Sequence, residues 1–286
     1  MSLANQPPQQ SSAVRMQETF FSISVGATWR MFTLRDRLLG RIGKSASAST
    51  PGVRISRHLI HSSNRLLDAV LAEPADPPRA ALLICHGIGE IVEHWLAAQD
   101  LLAANGIASL VFDYAGYGRS RGRLNWRHCE DDAVSAFTFL NTIVPGTPIS
   151  VLGFSMGSGI ATAILPSIPA ARLFLCSAFT SFRDAACVLG LPRFLAPALP
   201  RIWCNSEALP GLSVPVSIVH CDRDRAFPVR MASELSSACG IHSELILVPN
   251  QAHNEAFYRP QMSYWTHIIH RMIPLPAGIP ASRHEN

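Results

Sequence analysis

The sequence predicts an α/β chain, a mostly parallel twisted sheet of about eight strands with helices packed on both faces. Three observations predict it. Short β-like runs alternate with helix-period stretches from residue 54 to residue 273. Several of those runs, such as Ala-Ala-Leu-Leu-Ile-Cys at 80–85, are apolar throughout rather than alternating, which marks strands covered on both sides. Finally, 286 residues with 48% apolar and 15% charged side chains hold enough apolar surface for a large core.

The strands are expected at 54–61, 65–73, 80–85, 108–112, 149–153, 172–176, 214–220 and 244–248. The first pair is antiparallel, because the turn Ser62–Asn64 is too short for a crossover. Helices are expected at 91–104, 131–142, 156–165, 229–239 and 262–272, the first of them closed by Asn105-Gly106, where glycine takes a left-handed cap. Residues 51–286 form the main domain, with a lid at 179–213 rich in Phe, Leu, Ala and Pro.

Residues 1–50 read as an extension. It starts Gln-, Pro- and Ser-rich. From Met16 to Ile42 the residues Phe21, Val25, Trp29, Phe32 and Leu39 share a helical face among arginines. Three readings of that segment stand: a packed helix or leader, a peripheral membrane anchor through residues 16–42, and an organelle-targeting leader. The net charge of +4 arises within this extension. The remainder is balanced and has no basic stripe interleaved with aromatics, so nucleic acid is not an expected partner. No run reaches the roughly 18 to 20 uncharged residues of a membrane span, and the start lacks a secretory pattern. The seven cysteines have no Cys-x-x-Cys pair, and with that start they point to a reducing, cytoplasmic setting, with membrane-peripheral placement as the variant.

The chemistry is concentrated at Gly153-Phe154-Ser155-Met156-Gly157, where an apolar strand stops and a small-residue helix begins. A serine on such a strand-to-helix turn is held with its hydroxyl exposed, and glycines flank it because larger side chains collide there. A hydroxyl is a weak nucleophile at neutral pH, so it needs a base, and the base needs an acid to orient it. In a parallel sheet those groups belong at later strand ends. Asp222 and Asp224 follow the seventh strand and His253 follows the eighth. His220, His242, His267 and His270 fall on a strand end, a loop and the last helix, in positions suited to core or surface. A metal reading of His86, Glu90 and His94 fails on spacing, and no metal or other cofactor is expected. The Gly116 and Gly118 loop lacks the strand-to-helix setting of a dinucleotide site.

With these motifs in place, residues 54–273 resemble an α/β-hydrolase, near the serine aminopeptidase and monoglyceride-lipase-like group. The marks are His86-Gly87-Ile88-Gly89-Glu90, Asp113-Tyr114-Ala115-Gly116-Tyr117-Gly118-Arg119-Ser120, the serine turn, Asp224 to Pro228, and Ala252-His253-Asn254. The resemblance implies a triad of Ser155, Asp224 and His253, with Asp224 preferred over Asp222 because it stands four residues before Pro228. Cys221 departs from the pattern, which usually has glycine there. The resemblance also places the oxyanion-hole N–H groups at Ile88 and Met156, with His86, Gly87, Gly89, Asp113, Gly153 and Gly157 in support. Tyr117, Phe179, Phe182 and Phe227 are expected beside the substrate. The short lid, with Ser181-Phe182-Arg183-Asp184, resembles small-cap esterases and thioesterases. The expected activity is cleavage of a small-molecule apolar acyl ester or thioester. An aminopeptidase-like amide hydrolase and a non-catalytic hydrolase-fold binding protein are the alternatives.

Overall fold

The structure is a computed structural model that describes residues 50–273. The amphipathic stretch expected at 16–42 lies outside the described residues.

Among the described residues the centre is an eight-stranded sheet of β1 (Val53–Ser62), β2 (Arg65–Pro74), β3 (Ala80–Cys85), β4 (Ile107–Phe112), β5 (Ile149–Phe154), β6 (Leu173–Cys176), β7 (Val216–Cys221) and β8 (Ser243–Val248), in the order β1-β2-β4-β3-β5-β6-β7-β8. Each expected strand forms, with ends shifted by at most two residues. β2 runs antiparallel to both β1 and β4, and every other pair is parallel. The chain moves to one side from β3 to β4 and then to the other from β3 to β5. That reversal opens a crevice at the carboxyl ends of β3 and β5, the usual place for a site in such sheets.

The uniformly apolar strands are buried on both faces. Ala81, Leu83 and Cys85 of β3 join a core with residues of α2 (Trp126–Ile143), α3 (Met156–Ile164) and α6 (Val229–Cys239). Ala80, Leu82 and Ile84 join a second core with α1 (Leu96–Ala104) and α8 (Met262–Met272) on the other side. The connection from β6 to β7 carries the short helices α4 (Phe182–Val188) and α5 (Asn205–Ala208), and α7 (Glu255–Tyr258) follows β8.

Two helix starts differ from expectation. The stretch expected as a helix from residue 91 opens as a 3-10 turn, Val92–Trp95, before α1. The helix expected at 131–142 begins at Trp126, because Asn125 accepts the Arg127 N–H at 2.9 Å and caps it a turn earlier. That extra length brings Asp132 under β2. Its carboxylate takes the buried Arg65 guanidinium at 2.8 Å and the Ala115 N–H at 2.9 Å. One ion pair therefore joins β2, α2 and the loop after β4. Without Asp132 the buried guanidinium keeps only the Ser62 hydroxyl at 2.9 Å and the exposed Asp131 at 3.5 Å, so the loss should fall below the roughly 3–5 kcal/mol of a fully orphaned buried charge. Asp132→Ala should lower the unfolding free energy by about 2–3 kcal/mol in urea titration, and a loss below about 1 kcal/mol would refute this reading of the contact.

Candidate active site

Ser155 joins β5 to α3 with φ 52 and ψ −118, a conformation that L-residues adopt only under strain. The neighbours show why the strain persists. A Cβ on Gly157 would stand 1.9 Å from the Cys85 carbonyl oxygen, and one on Gly153 would stand 2.5 Å from the Gly157 carbonyl oxygen. Backbone cannot retreat from such contacts, so both positions need glycine. The turn is also tied by hydrogen bonds. The Ser155 N–H donates to the Cys176 carbonyl at 3.0 Å, and the Ser158 hydroxyl donates to the Ser155 carbonyl at 2.7 Å.

Asp224 sits in the loop after β7, and both of its oxygens are used. Oδ1 accepts the Ala226 and Phe227 N–H groups at 2.8 and 2.9 Å, while Oδ2 accepts His253 Nδ1–H at 2.7 Å. Burial alone would raise its pKa. The bond and charge of His253, with the Phe227 N–H, outweigh burial and hold the carboxyl below its ordinary value. Asp222 does something else: its exposed carboxylate accepts the Asn250 N–H at 2.7 Å and fixes the loop after β8.

His253 comes from that loop. Its ring lies 5.0 Å from the Phe154 ring and 5.5 Å from the Phe227 ring, and its carbonyl accepts the Ser177 hydroxyl at 3.3 Å. Asp224 and His253 are thus directly joined. Among the described hydrogen bonds none joins Ser155 Oγ to His253, a looseness common where no substrate is bound. The imidazole packs on the ring of Phe154, the residue that precedes the serine.

Met156 opens α3, so its N–H has no partner within the helix. Ile88 lies in the turn after β3, where Gly89 has φ 80. A Cβ on Gly87 would meet the Phe154 ring at 3.1 Å and Ser155 Cβ at 3.2 Å, so that turn packs directly on the serine. His86 Nδ1–H donates to the Gly87 carbonyl at 2.9 Å, and its Nε2 lies 3.6 Å from the buried Asp113. Asp113 in turn accepts the Val92 N–H at 3.0 Å.

The aromatic residues expected beside substrate divide. Phe179 and Phe227 pair at 5.7 Å next to His253. Tyr117 is instead wholly buried, with its hydroxyl 3.9 Å from the Met156 sulfur, because Tyr114 and His86 pack around its ring. Its hydroxyl thereby supports Met156. Phe182 packs edge-on to Trp203 at 5.9 Å.

Other contributors escaped sequence reasoning. His220, which the sequence left as core or surface, is buried with Nε2 donating to the Phe227 carbonyl at 3.1 Å, so it braces the Asp224 loop, and burial lowers its pKa. Ser177 ends β6 beside the site with φ 46, and its place at a strand end was the available signal. Cys85, Cys176 and Cys221 are buried thiols with pKa pushed up to about 12 by desolvation, so they act as small apolar side chains. No group of His, Cys, Asp or Glu suited to a metal ion occurs among the described residues.

The family described as serine aminopeptidase, S33, matches residues 76–212. An uncharacterised protein of Mycobacterium tuberculosis is 28% identical over 183 residues, 61% of this chain and 63% of its own length. The lysophosphatidylserine lipase ABHD12 of Danio rerio is 25% identical over 161 residues, 50% of this chain and 42% of its own. A Pyrococcus furiosus esterase superposes with a TM-score of 0.62 at 18% identity, covering 76% of this chain and 90% of the esterase. The chain has the α/β-hydrolase fold. It spans less than two thirds of the length of these sequence relatives. The serine turn lies inside the matched segment, whereas Asp224 and His253 lie beyond residue 212.

The depressed pKa of Asp224 has a stability consequence. A carboxyl whose folded value lies below its unfolded value stabilises the fold at pH above the ordinary carboxylate range, and that contribution is lost as pH falls through the folded value. Asp224→Asn should therefore lower the melting temperature at about pH 7, and the gap should close toward about pH 2. A gap that stays constant over that range would contradict this reading of the Asp224–His253 pair.

Proposed function

We propose that this chain of α/β-hydrolase fold is a serine hydrolase that cleaves an apolar acyl ester or thioester through an acyl-enzyme on Ser155. The observation that carries the proposal is the strained Ser155 turn beside an Asp224–His253 pair joined at 2.7 Å. His253 Nε2 takes the Ser155 hydroxyl proton as Oγ bonds to the acyl carbon, and Asp224 steadies the imidazolium. The N–H groups of Ile88 and Met156 receive the charge that develops on the carbonyl oxygen. Collapse breaks the bond to the leaving oxygen or sulfur, which takes the proton back from His253. Water then repeats the sequence on the acyl-enzyme and frees the acid.

An apolar acyl group suits the surroundings. Phe227 packs on His253 and Phe179 packs on Phe227, and a cleft of about 550 Å³ is lined by Thr180, Val188, Ala196 and Met231 together with the charged side chains of Asp184, Glu234, Arg193 and Arg230. Ser155 and His253 do not line that cleft, so an acyl chain would reach it only by passing Phe179. The cap acids that might grip a substrate ammonium are engaged elsewhere. Asp184 accepts the Thr180 and Ser181 hydroxyls at 2.9 and 2.6 Å, and Glu207 pairs with Arg201 at 2.6 Å. This weighs against an aminopeptidase. The relatives named above as an esterase and a lysophosphatidylserine lipase agree with an ester substrate. Phe194 and Leu189 on the cap are 81% and 63% exposed, which suits a substrate presented at a lipid surface. No helix among the described residues is long and apolar enough to cross a membrane, so the membrane contact proposed here is peripheral and includes residues 16–42.

Fluorophosphonate labelling tests the chemistry: the wild-type protein should label and Ser155→Ala should not. Hydrolysis of p-nitrophenyl esters should fall on the order of 10⁴-fold or more in Ser155→Ala. Labelling that survives this substitution would sink the proposal. A chain-length series of those esters should favour medium or long acyl groups over acetyl if the aromatic pair and the cleft receive the chain.

A further inference from the structure

A buried carboxylate that the proposed mechanism does not use stands behind the turn after β3. Glu90 is 3% exposed. Its Oε2 accepts the Gly87 N–H at 2.9 Å and the Trp95 indole N–H at 3.2 Å, while its own backbone N–H donates to the Gly87 carbonyl at 3.4 Å. Glu90 therefore holds Gly87 twice, once through main chain and once through side chain. The main-chain bond closes a four-residue turn from Gly87 to Glu90 whose third residue, Gly89, has φ 80, as a type II turn requires. His86 Nδ1–H adds a second donor on the same Gly87 carbonyl.

The consequence falls on Ile88, the second residue of that turn. Both backbone groups of Gly87 are engaged by the flanking residues and Glu90 N–H is used to close the turn. Ile88 N–H is left out of this bonding. The turn also lies close to the serine, since a Cβ added to Gly87 would stand 3.1 Å from the Phe154 ring and 3.2 Å from Ser155 Cβ. A donor that must be aimed before charge develops gains nothing from a mobile turn, and a displacement of about 1 Å can cost about a hundredfold in rate.

We propose that Glu90 is a positioning residue for catalysis, its side chain clamping the Gly87 N–H so that Ile88 N–H points at the oxygen of the tetrahedral intermediate. This rests on the acyl-transfer reading of Ser155. The alternative use of a buried carboxylate, as a metal ligand with His86 and His94, has no support among the described residues, where no metal-binding group occurs. The Glu90 side chain acts here by accepting the Gly87 and Trp95 N–H groups, so a neutral acceptor of the same shape should serve. A full negative charge there would oppose the developing oxyanion.

The test compares Glu90→Gln, which keeps an oxygen acceptor, with Glu90→Leu, which removes it. Wild-type labelling at Ser155 is checked first, so that failure of the acyl-transfer reading is seen separately. The expected result is a 30- to 100-fold fall in kcat for Glu90→Leu with KM changed less than threefold, and Glu90→Gln within about fivefold of wild type. An alkyl boronic acid, which forms a tetrahedral adduct on the serine, should lose affinity in Glu90→Leu in step with kcat. Loss through KM alone, unchanged boronate affinity, or a Gln variant as impaired as the Leu variant would overturn the proposal. If Glu90→Leu does not fold, Trp95→Phe decides: it removes only the indole donor and should lower kcat and boronate affinity together by three- to tenfold, and no change in either would also overturn it.

Discussion

The structure depends on one close approach, that of α3 to the end of β3. With hydrogen in place of a side chain at Gly157, the first turn of the helix comes against the Cys85 and His86 carbonyls. With the same at Gly153, the strand before it can pass under the helix. Together they force Ser155 into its positive φ and leave it at the crest of the sheet. The turn after β3 follows from the same contact, because Gly87 then meets Phe154 and Ser155 and must itself lack a side chain. The Ser155 turn and the turn after β3, the proposed nucleophile and oxyanion donor, thus share one steric constraint between adjacent strands β3 and β5.

The electrostatic half of the site is built separately. Asp224 would be costly to bury alone, yet N–H donors from Ala226 and Phe227 and the imidazole of His253 satisfy it. These donors are local, within three residues of the acid for the backbone pair. His220 secures the loop from below through the Phe227 carbonyl, and it does so from a strand, which does not move. The acid is therefore preorganised by its own loop. The histidine, carried on a longer loop, is held by the acid, by the Ser177 hydroxyl and by the Phe154 ring.

Legibility in the sequence follows this division. Strands β3 to β7 could be read because burial on both faces leaves an apolar run with no other explanation. The serine turn could be read because steric necessity fixes glycine at set spacing. The start of α2 was misplaced because Asn125 caps a first turn containing Trp126, Arg127 and His128, whose polarity hides the helical period. That Tyr117 is buried against Met156 could not be read, because a tyrosine in a site motif looks the same in sequence whether it faces inward or outward. Its burial is set by Tyr114 and His86, which reach it only in three dimensions. Glu90 illustrates the same limit, since its partners Gly87 and Trp95 are near in sequence but their bonds depend on the turn geometry between them.

The cap obeys neither kind of rule. Between β6 and β7 the chain has only short helices and 3-10 turns, so no period reports which side chains face the core. Phe179 is buried against Phe227, whereas Phe194 stands in solvent, although both belong to the same apolar composition. What orders this stretch is a set of polar ties. Arg183 donates to the Leu199 carbonyl at 2.6 Å, Asn205 donates to the Phe179 carbonyl at 2.9 Å, and Trp203 donates to Glu130 at 2.9 Å while packing its Cβ close over Gly159. Buried polar groups left without such partners would each cost about 1–3 kcal/mol, so these ties decide the path of a segment that composition alone leaves open. The strand ends are therefore fixed by steric constraints, whereas the cap's shape depends on a few hydrogen bonds to α2, α3 and its own backbone. On the proposed acyl-transfer function, a change in those ties would alter which acyl groups are accepted without touching Ser155, Asp224 or His253.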